Sequence, residues 1–190
     1  MQAMIINFLA FQAGWFACVL GGASGWPWLG VGVVAAVVAL HVFQSPEASQ
    51  ELRLVAAAAV IGTTWDSTLA ATGILIYPSG QLASMLAPVW IVALWMGFAT
   101  SLNVSLRWLK GRWALAMLLG GVAGPMSFWA GSRLGAVRFA DPLLSLGVLS
   151  AGWALLMPLL LWVADRCDGW VEPVPGERER RAGRERSSSD

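Results

Sequence analysis

The sequence predicts an all-α protein, a polytopic membrane helical bundle of about six transmembrane helices. Composition, apolar run length and the distribution of charge support this fold class. Of the 190 residues, 57% are apolar and 12% are charged, and the mean hydropathy is +0.66, whereas about a quarter of a soluble domain is charged. The net charge of +1 and the lack of a basic stripe argue against a nucleic-acid partner. We therefore expect membrane lipids to surround the chain.

Six apolar stretches are long enough to cross a bilayer. A helix rises ~1.5 Å per residue and the hydrocarbon layer is ~30 Å thick, so a span needs roughly 20 apolar residues. Turn-forming or polar residues separate the stretches, and closed barrels are excluded because the runs do not alternate. The predicted spans are 4–22, 26–43, 54–76, 88–106, 113–131 and 142–164. They make residues 1–168 one transmembrane domain.

The end of the sequence has a different composition. After Asp168 the chain continues with Pro and Gly, then alternates Glu with Arg and ends in three Ser and one Asp. Such a segment has almost nothing apolar to bury. We predict that residues 169–190 form a disordered, charged cytoplasmic tail.

The positive charges predict the orientation. On a chain of six spans, ten of the twelve Lys and Arg residues fall on the side of the N-terminus, and only Arg133 and Arg138 fall on the other. Cytoplasmic segments of membrane proteins carry the excess of Lys and Arg. We expect a multi-pass protein of the bacterial inner membrane with both termini in the cytoplasm.

Asp66, in the third predicted span, is the main candidate site residue. It shares a helical face with small residues such as Gly62 and Ala70, so it should point into the bundle. Arg133 is the expected partner because its long side chain can reach inward from the outer surface. The pair would either fix helix register as a buried ion pair or form a polar site for an anionic head group or a proton.

A second set of polar residues is predicted nearer the cytoplasm. Asn7 and Gln12 lie on the first span, His41 ends the second and Asn103 lies on the fourth. Their amides should either hydrogen-bond between helices or bind a ligand. The small residues Gly120 and Gly124 should either pack the monomer tightly or form a dimer contact.

Catalytic and metal-binding patterns are missing from the sequence. His41 is the single histidine, no Gly-x-Ser-x-Gly elbow is present, and Cys18 and Cys167 are far apart. A Ser-His-Asp triad or a zinc site cannot be assembled convincingly from these residues. We therefore predict no catalytic residue, no metal ligand and no cofactor.

Several segments carry a family resemblance: Phe11-Gln12-Ala13-Gly14-Trp15, Gly62-Thr63-Thr64-Trp65-Asp66, Pro88-Val89-Trp90, Phe98-Ala99-Thr100-Ser101-Leu102-Asn103 and Gly124-Pro125-Met126-Ser127-Phe128-Trp129. With them, the sequence resembles an uncharacterised bacterial family of small multi-spanning membrane proteins, the domain of unknown function DUF2878. Phe128 stands where the family pattern favours Tyr. The resemblance implies a membrane location and, from the genes near family members, lipid-modifying enzymes as partners.

Three functions fit these observations. The leading hypothesis is an inner-membrane protein that binds or moves a small or lipid-like molecule through a polar pocket containing Asp66. The first alternative is a membrane partner of an enzyme that modifies fatty acids or lipids, as the resemblance implies. The second alternative is a structural or assembly subunit, which the small-residue stripes favour.

Overall fold

The structure is a computed structural model, which describes residues 2–171. It confirms the all-α helical bundle. The elements in chain order are α1 (Gln2–Ala23), α2 (Pro27–Gln44), α3 (Ala48–Ala71), β1 (Leu75–Ile76), α4 (Val89–Leu102), a 3₁₀ turn (Arg107–Leu109), α5 (Trp113–Arg133), β2 (Arg138–Phe139) and α6 (Pro142–Arg166).

Five of the six described helices are long and apolar enough to cross a membrane, and α4 is the exception. Its 14 residues extend only about 21 Å, because the helix ends at Leu102 and not near residue 106 as predicted. Residues 103–112 turn away from the helix axis, and Arg107 Nε donates to the carbonyl of Asn103 at 2.7 Å. This bond satisfies one carbonyl at the early end of the helix.

The predicted third span also has different ends in the structure. Helix α3 begins at Ala48, six residues before the expected start, and it stops at Ala71 instead of residue 76. Beyond it, Gly73 adopts a positive φ of 72°, and Leu75–Ile76 pair antiparallel with Arg138–Phe139. This small sheet satisfies backbone groups that a longer helix would have paired internally.

Helix α4 lies at the centre of the bundle. It contacts α1, α2, α3 and α6, whereas α5 packs mainly against α6. Consistent with this position, Trp90, Trp95 and Leu102 of α4 are all buried. The core is thus organised around the shortest helix.

The small residues of α5 serve contacts inside the chain. A Cβ added at Gly120 would meet the Trp153 carbonyl of α6 at 2.4 Å, and one added at Gly124 would meet the Trp153 ring at 2.2 Å. Helices can approach this closely only where the side chain is absent. Of the two interpretations of this stripe, the structure shows packing within the monomer.

Polar contacts join the ends of helices at two opposite ends of the bundle. At the first, which we call the Glu51 end, α2 and α4 finish while α1 and α3 begin, and Gly169 is buried there. At the second, the Tyr77 end, the segment between α3 and α4 folds back over the helices. Gly169 and Trp170, predicted as the start of a disordered tail, instead contact the bundle, and residues 172–190 lie outside the described residues.

Candidate functional site

Asp66 is the centre of the candidate site. It lies one and a half turns before the end of α3 and has no exposed surface, which confirms that it points inward. The Tyr77 hydroxyl donates to Oδ1 at 2.9 Å, and Trp95 Nε1 donates to Oδ2 at 2.6 Å. Because a buried carboxylate is costly without hydrogen bonds, these two donors are what stabilise Asp66 inside the bundle.

Tyr77 reaches Asp66 because the chain reverses after β1. Its ring is buried and meets Trp90 edge to face, with centroids 5.8 Å apart. Burial raises the pKa of the Tyr77 hydroxyl well above its usual range, and the neighbouring Asp66 carboxylate raises it further. The hydroxyl therefore stays protonated and acts as a permanent donor to Asp66.

Trp95, the other donor, belongs to an aromatic cluster. It stacks on Trp153 of α6 with centroids 4.9 Å apart and an interplanar angle of 9°. Phe98 meets Trp95 edge to face at 6.4 Å and Trp153 at 5.6 Å. Stacked and edge-to-face rings hold one another in defined orientations, so the indole N–H of Trp95 is aimed at Asp66 by packing from two helices.

Glycines make room for these rings. A Cβ at Gly62, one turn before Asp66, would lie 1.9 Å from the Trp95 ring, and one at Gly152 would lie 2.1 Å from Trp65. No side chain can be added at either place without moving an indole. The small-residue face of α3 therefore makes room for the Trp95 ring, which donates to Asp66.

A cavity of about 60 Å³ borders the carboxylate. One water needs roughly 10–15 Å³ of such space, so the cavity has room for about five heavy atoms. Besides Asp66, its walls include six aromatic rings: Phe11, Trp15, Trp95, Phe98, Phe128 and Trp153. Trp15 is fixed by donating to Ser127 Oγ at 2.9 Å, which links α1 to α5 across the cavity. We call this space and its walls the aromatic pocket.

The predicted partnership of Asp66 with Arg133 does not form. Arg133 is exposed at the end of α5, and no salt bridge joins it to Asp66 in the described part of the chain. Both oxygens of Asp66 already accept from Tyr77 and Trp95. Bringing the guanidinium inside would add a desolvation cost, so the expectation of an ion pair is corrected.

The other predicted polar residues do not line the aromatic pocket. Asn7 donates through Nδ2 to the Thr100 carbonyl at 3.0 Å, which ties α1 to α4. Gln12 is half-buried on α1, and no hydrogen-bond partner for it is found within residues 2–171. Asn103 donates to Glu51 Oε1 at 2.7 Å and to the Cys167 carbonyl at 3.0 Å. The structure thus separates these residues from Asp66.

Glu51 forms a second buried carboxylate site that sequence reasoning missed. It has no exposed surface, and Oε1 accepts from Asn103 and from the Gly169 amide at 2.8 Å. His41 Nε2 lies 2.7 Å from Oε2, within hydrogen-bond distance. In the sequence, Glu51 lies between the second and third predicted spans. Its burial depends on partners that are distant in sequence.

Charged residues extend this cluster at the Glu51 end. Asp168 accepts from Arg107 at 2.7 Å and from Lys110 at 2.8 Å. The carbonyl of Gly169 accepts from Ser45 Oγ at 2.8 Å. These contacts fasten the segment after α6 to the segments that follow α2 and α4, so the cluster holds helix ends together.

Apolar helices and a fully buried polar centre define this chain as a multi-pass membrane protein. It belongs to the family described as Protein of unknown function (DUF2878), whose match covers residues 4–159. The match includes Asp66, both of its donors and every wall of the aromatic pocket, and it confirms the family resemblance. No curated protein matches the sequence, and no solved structure matches the fold.

Proposed function

We propose that this protein is a bacterial inner-membrane protein that binds or moves a small or lipid-like molecule through the aromatic pocket. The observation that carries the proposal is a fully buried carboxylate, Asp66, at the wall of a cavity between helices. Ionisable residues inside membrane domains are rare and usually functional. Cavities between the helices of a bundle are the usual place for a ligand.

The composition of the pocket supports binding over a purely structural role. Its walls are mostly aromatic and include one ionisable residue, Asp66, which is the pattern of small-molecule sites. The indole N–H of Trp153 is buried without an acceptor among residues 2–171. Buried donors are nearly always satisfied, so this wall still has an unused hydrogen-bonding group.

The size of the cavity limits what it can hold. Space for about five heavy atoms suits a small molecule or the head of a larger amphiphile, whose chain would remain among the lipids. The excess of Lys and Arg at the Glu51 end supports the proposed orientation, with that end and both termini in the cytoplasm. The Tyr77 end, nearest to Asp66, would then face the opposite side of the membrane.

Native mass spectrometry of the full chain tests the proposal. We expect a molecule to copurify with the wild-type protein in a mild detergent. Leu94→Trp fills the pocket from α4 and should reduce the occupied fraction by about fivefold or more, since the added ring takes the ligand's space. Leu155→Trp, on an exposed position of α6, is the matched control and should leave occupancy unchanged.

The experiment has a clear negative result. A wild-type protein that is empty in detergent and in lipid nanodiscs contradicts the proposal. Equal occupancy in the wild type and in Leu94→Trp would show that any bound molecule lies elsewhere, and it would also contradict the proposal.

A further inference from the structure

We infer that the aromatic pocket binds an organic cation, a substituted ammonium group held between the Asp66 carboxylate and the surrounding aromatic rings. The inference rests on the proposed function and specifies its ligand class. It also replaces the anionic head group expected from the sequence, because the Arg133 side chain that would have attracted an anion is outside the site.

Asp66 is the one ionisable residue among the described residues that line the aromatic pocket. Each oxygen of Asp66 lies within hydrogen-bond distance of a neutral donor, so both donors can stabilise the ionised carboxylate. Its two partners, Tyr77 and Trp95, are neutral, and none of the described Lys, Arg or His side chains forms a salt bridge with it. A buried negative charge without a counter-charge is costly, so a cation in the adjoining cavity would stabilise it.

The walls of the cavity favour a particular kind of cation. Six aromatic rings surround the space, and the face of an aromatic ring attracts positive charge. A metal ion would demand several oxygen, nitrogen or sulfur ligands, and within residues 2–171 no three His, Cys, Asp or Glu side chains come together to hold one. An alkylated ammonium group needs no ligand set, since its methyl or methylene surface packs directly against rings.

The size of the space agrees with this ligand class. A trimethylammonium group with its first methylene has five heavy atoms, about the number that the cavity can hold. Two sources can present such a group: the head of an amine-bearing or choline-bearing lipid, or a free ammonium compound. The chemistry that the pocket recognises is the same for both.

The test compares choline with 3,3-dimethylbutan-1-ol, a neutral molecule of the same shape, by calorimetry on the full chain in a non-ionic detergent. We expect the wild-type protein to bind choline about tenfold more tightly or better, because only the cation gains from the carboxylate and the rings. Asp66→Asn should bring the two affinities to within about twofold. Glu47→Gln, which removes a negative charge at the Glu51 end, should retain the preference.

A second pair of variants tests the rings independently, in case Asp66→Asn does not fold. Phe128→Leu removes one ring of the pocket and keeps an apolar side chain, so the preference for choline should fall several-fold. Phe8→Leu makes the same change at an exposed position of α1 and should have no effect. Size-exclusion profiles establish that each variant used is folded.

The possible negative results separate failure of the cation inference from failure of the proposed function. Equal or tighter binding of the neutral molecule to the wild type overturns the cation inference but leaves the proposed function standing. A choline preference that survives both Asp66→Asn and Phe128→Leu also overturns it. Binding of neither probe, together with an empty wild-type protein in mass spectrometry, removes the proposed function as well.

The source of the cation is resolved in nanodiscs of defined composition. Phosphatidylcholine or phosphatidylethanolamine nanodiscs should weaken choline binding relative to phosphatidylglycerol nanodiscs if a lipid head occupies the pocket. Equal choline binding to the protein in all three lipids would assign the pocket to a free ammonium compound. Either result supports a cation site and decides between the two sources.

Discussion

The two fully buried carboxylates, Asp66 and Glu51, differ in how completely they are satisfied. Glu51 makes three hydrogen bonds, one of them with a histidine, and its partners come from three separate segments. Asp66 accepts two, both from neutral groups, and borders a cavity. The same chemical group therefore joins helix ends in one place and leaves unused binding capacity in the other. The space beside a buried charge is therefore a better indicator of ligand binding than the burial of the charge.

The largest expected effect is on the Glu51 side of this comparison. Glu51→Ala removes three hydrogen bonds at once, those with His41, Asn103 and the Gly169 amide, and it leaves the Gly169 amide without its acceptor. Leaving a buried donor unsatisfied costs about 1–3 kcal/mol and losing an ordinary hydrogen bond about 1, so we expect the free energy of unfolding to fall by about 3–5 kcal/mol. Reversible unfolding in mixed detergent micelles measures it.

Glu51→Gln is the matched control for that experiment. It keeps the length of the side chain and one acceptor oxygen, so it should cost less than half as much as Glu51→Ala. If Glu51→Ala unfolds at the same detergent composition as the wild type, the cluster does not hold the helix ends together.

The next largest loss of stability is expected when residues 169–171 are removed. A chain ending at Asp168 lacks the amide that bonds Glu51 and the carbonyl that accepts from Ser45, which a chain ending at Val171 retains. Hydrogen bonds to charged groups contribute about 1.5–3 kcal/mol and neutral ones about 1. We therefore expect the shorter chain to be less stable by about 2–3 kcal/mol.

The two truncated chains should be compared with each other by thermal unfolding in the same detergent. Because both lack residues 172–190, their difference reports only residues 169–171. Equal melting temperatures would mean that this segment adds nothing to the bundle.

A glycine beside the Asp66 site gives a smaller expected effect. Gly62→Ala places a methyl group against the Trp95 ring, and overpacking of this kind costs typically about 1–3 kcal/mol. It should also displace the indole N–H from Asp66, which tryptophan fluorescence or crosslinking would detect. Gly32→Ala is the control, since no atom lies within 4 Å of its added Cβ, and it should be neutral or slightly stabilising.

Much of the fold could be predicted from hydropathy, because a bilayer allows few structures. The starts of α2, α5 and α6 lie within one residue of prediction, and Pro27 and Pro142 occupy the first helical turn that proline favours. The wrong boundaries lie where polar backbone or side chains are buried by other parts of the protein. Residues 75–76 form a strand with residues far along the chain, and hydropathy cannot reveal that partner.

The candidate site could be predicted only in part, because hydropathy does not reveal side-chain partners that are distant in sequence. The small-residue face of α3 correctly placed Asp66 inside the bundle. The sequence predicts an oppositely charged partner for Asp66, whereas in the structure the neutral donors Tyr77 and Trp95 bond its carboxylate. Tyr77 is the single tyrosine of the chain, and its position after a predicted span was a signal that could have been used. Glu51 gave no comparable signal, because its partners lie 10, 52 and 118 residues away.

The smallest stability effect is expected at Asp66 itself, where Asp66→Asn changes charge and little else. The amide oxygen of Asn can accept from Trp95, and its NH₂ can donate to the Tyr77 oxygen, so two hydrogen bonds survive with one reversed in direction. Removing an unpaired buried charge also relieves a desolvation cost.

We expect Asp66→Asn to change the free energy of unfolding by about 1 kcal/mol or less, in either direction. Asp66→Leu provides the contrast, since it leaves both donors without an acceptor and should cost several times more. If Asp66→Asn instead destabilised the protein as much as Glu51→Ala, Asp66 would be a structural carboxylate like Glu51. Its binding capacity would then already be used by the fold, and the distinction between the two sites would fail.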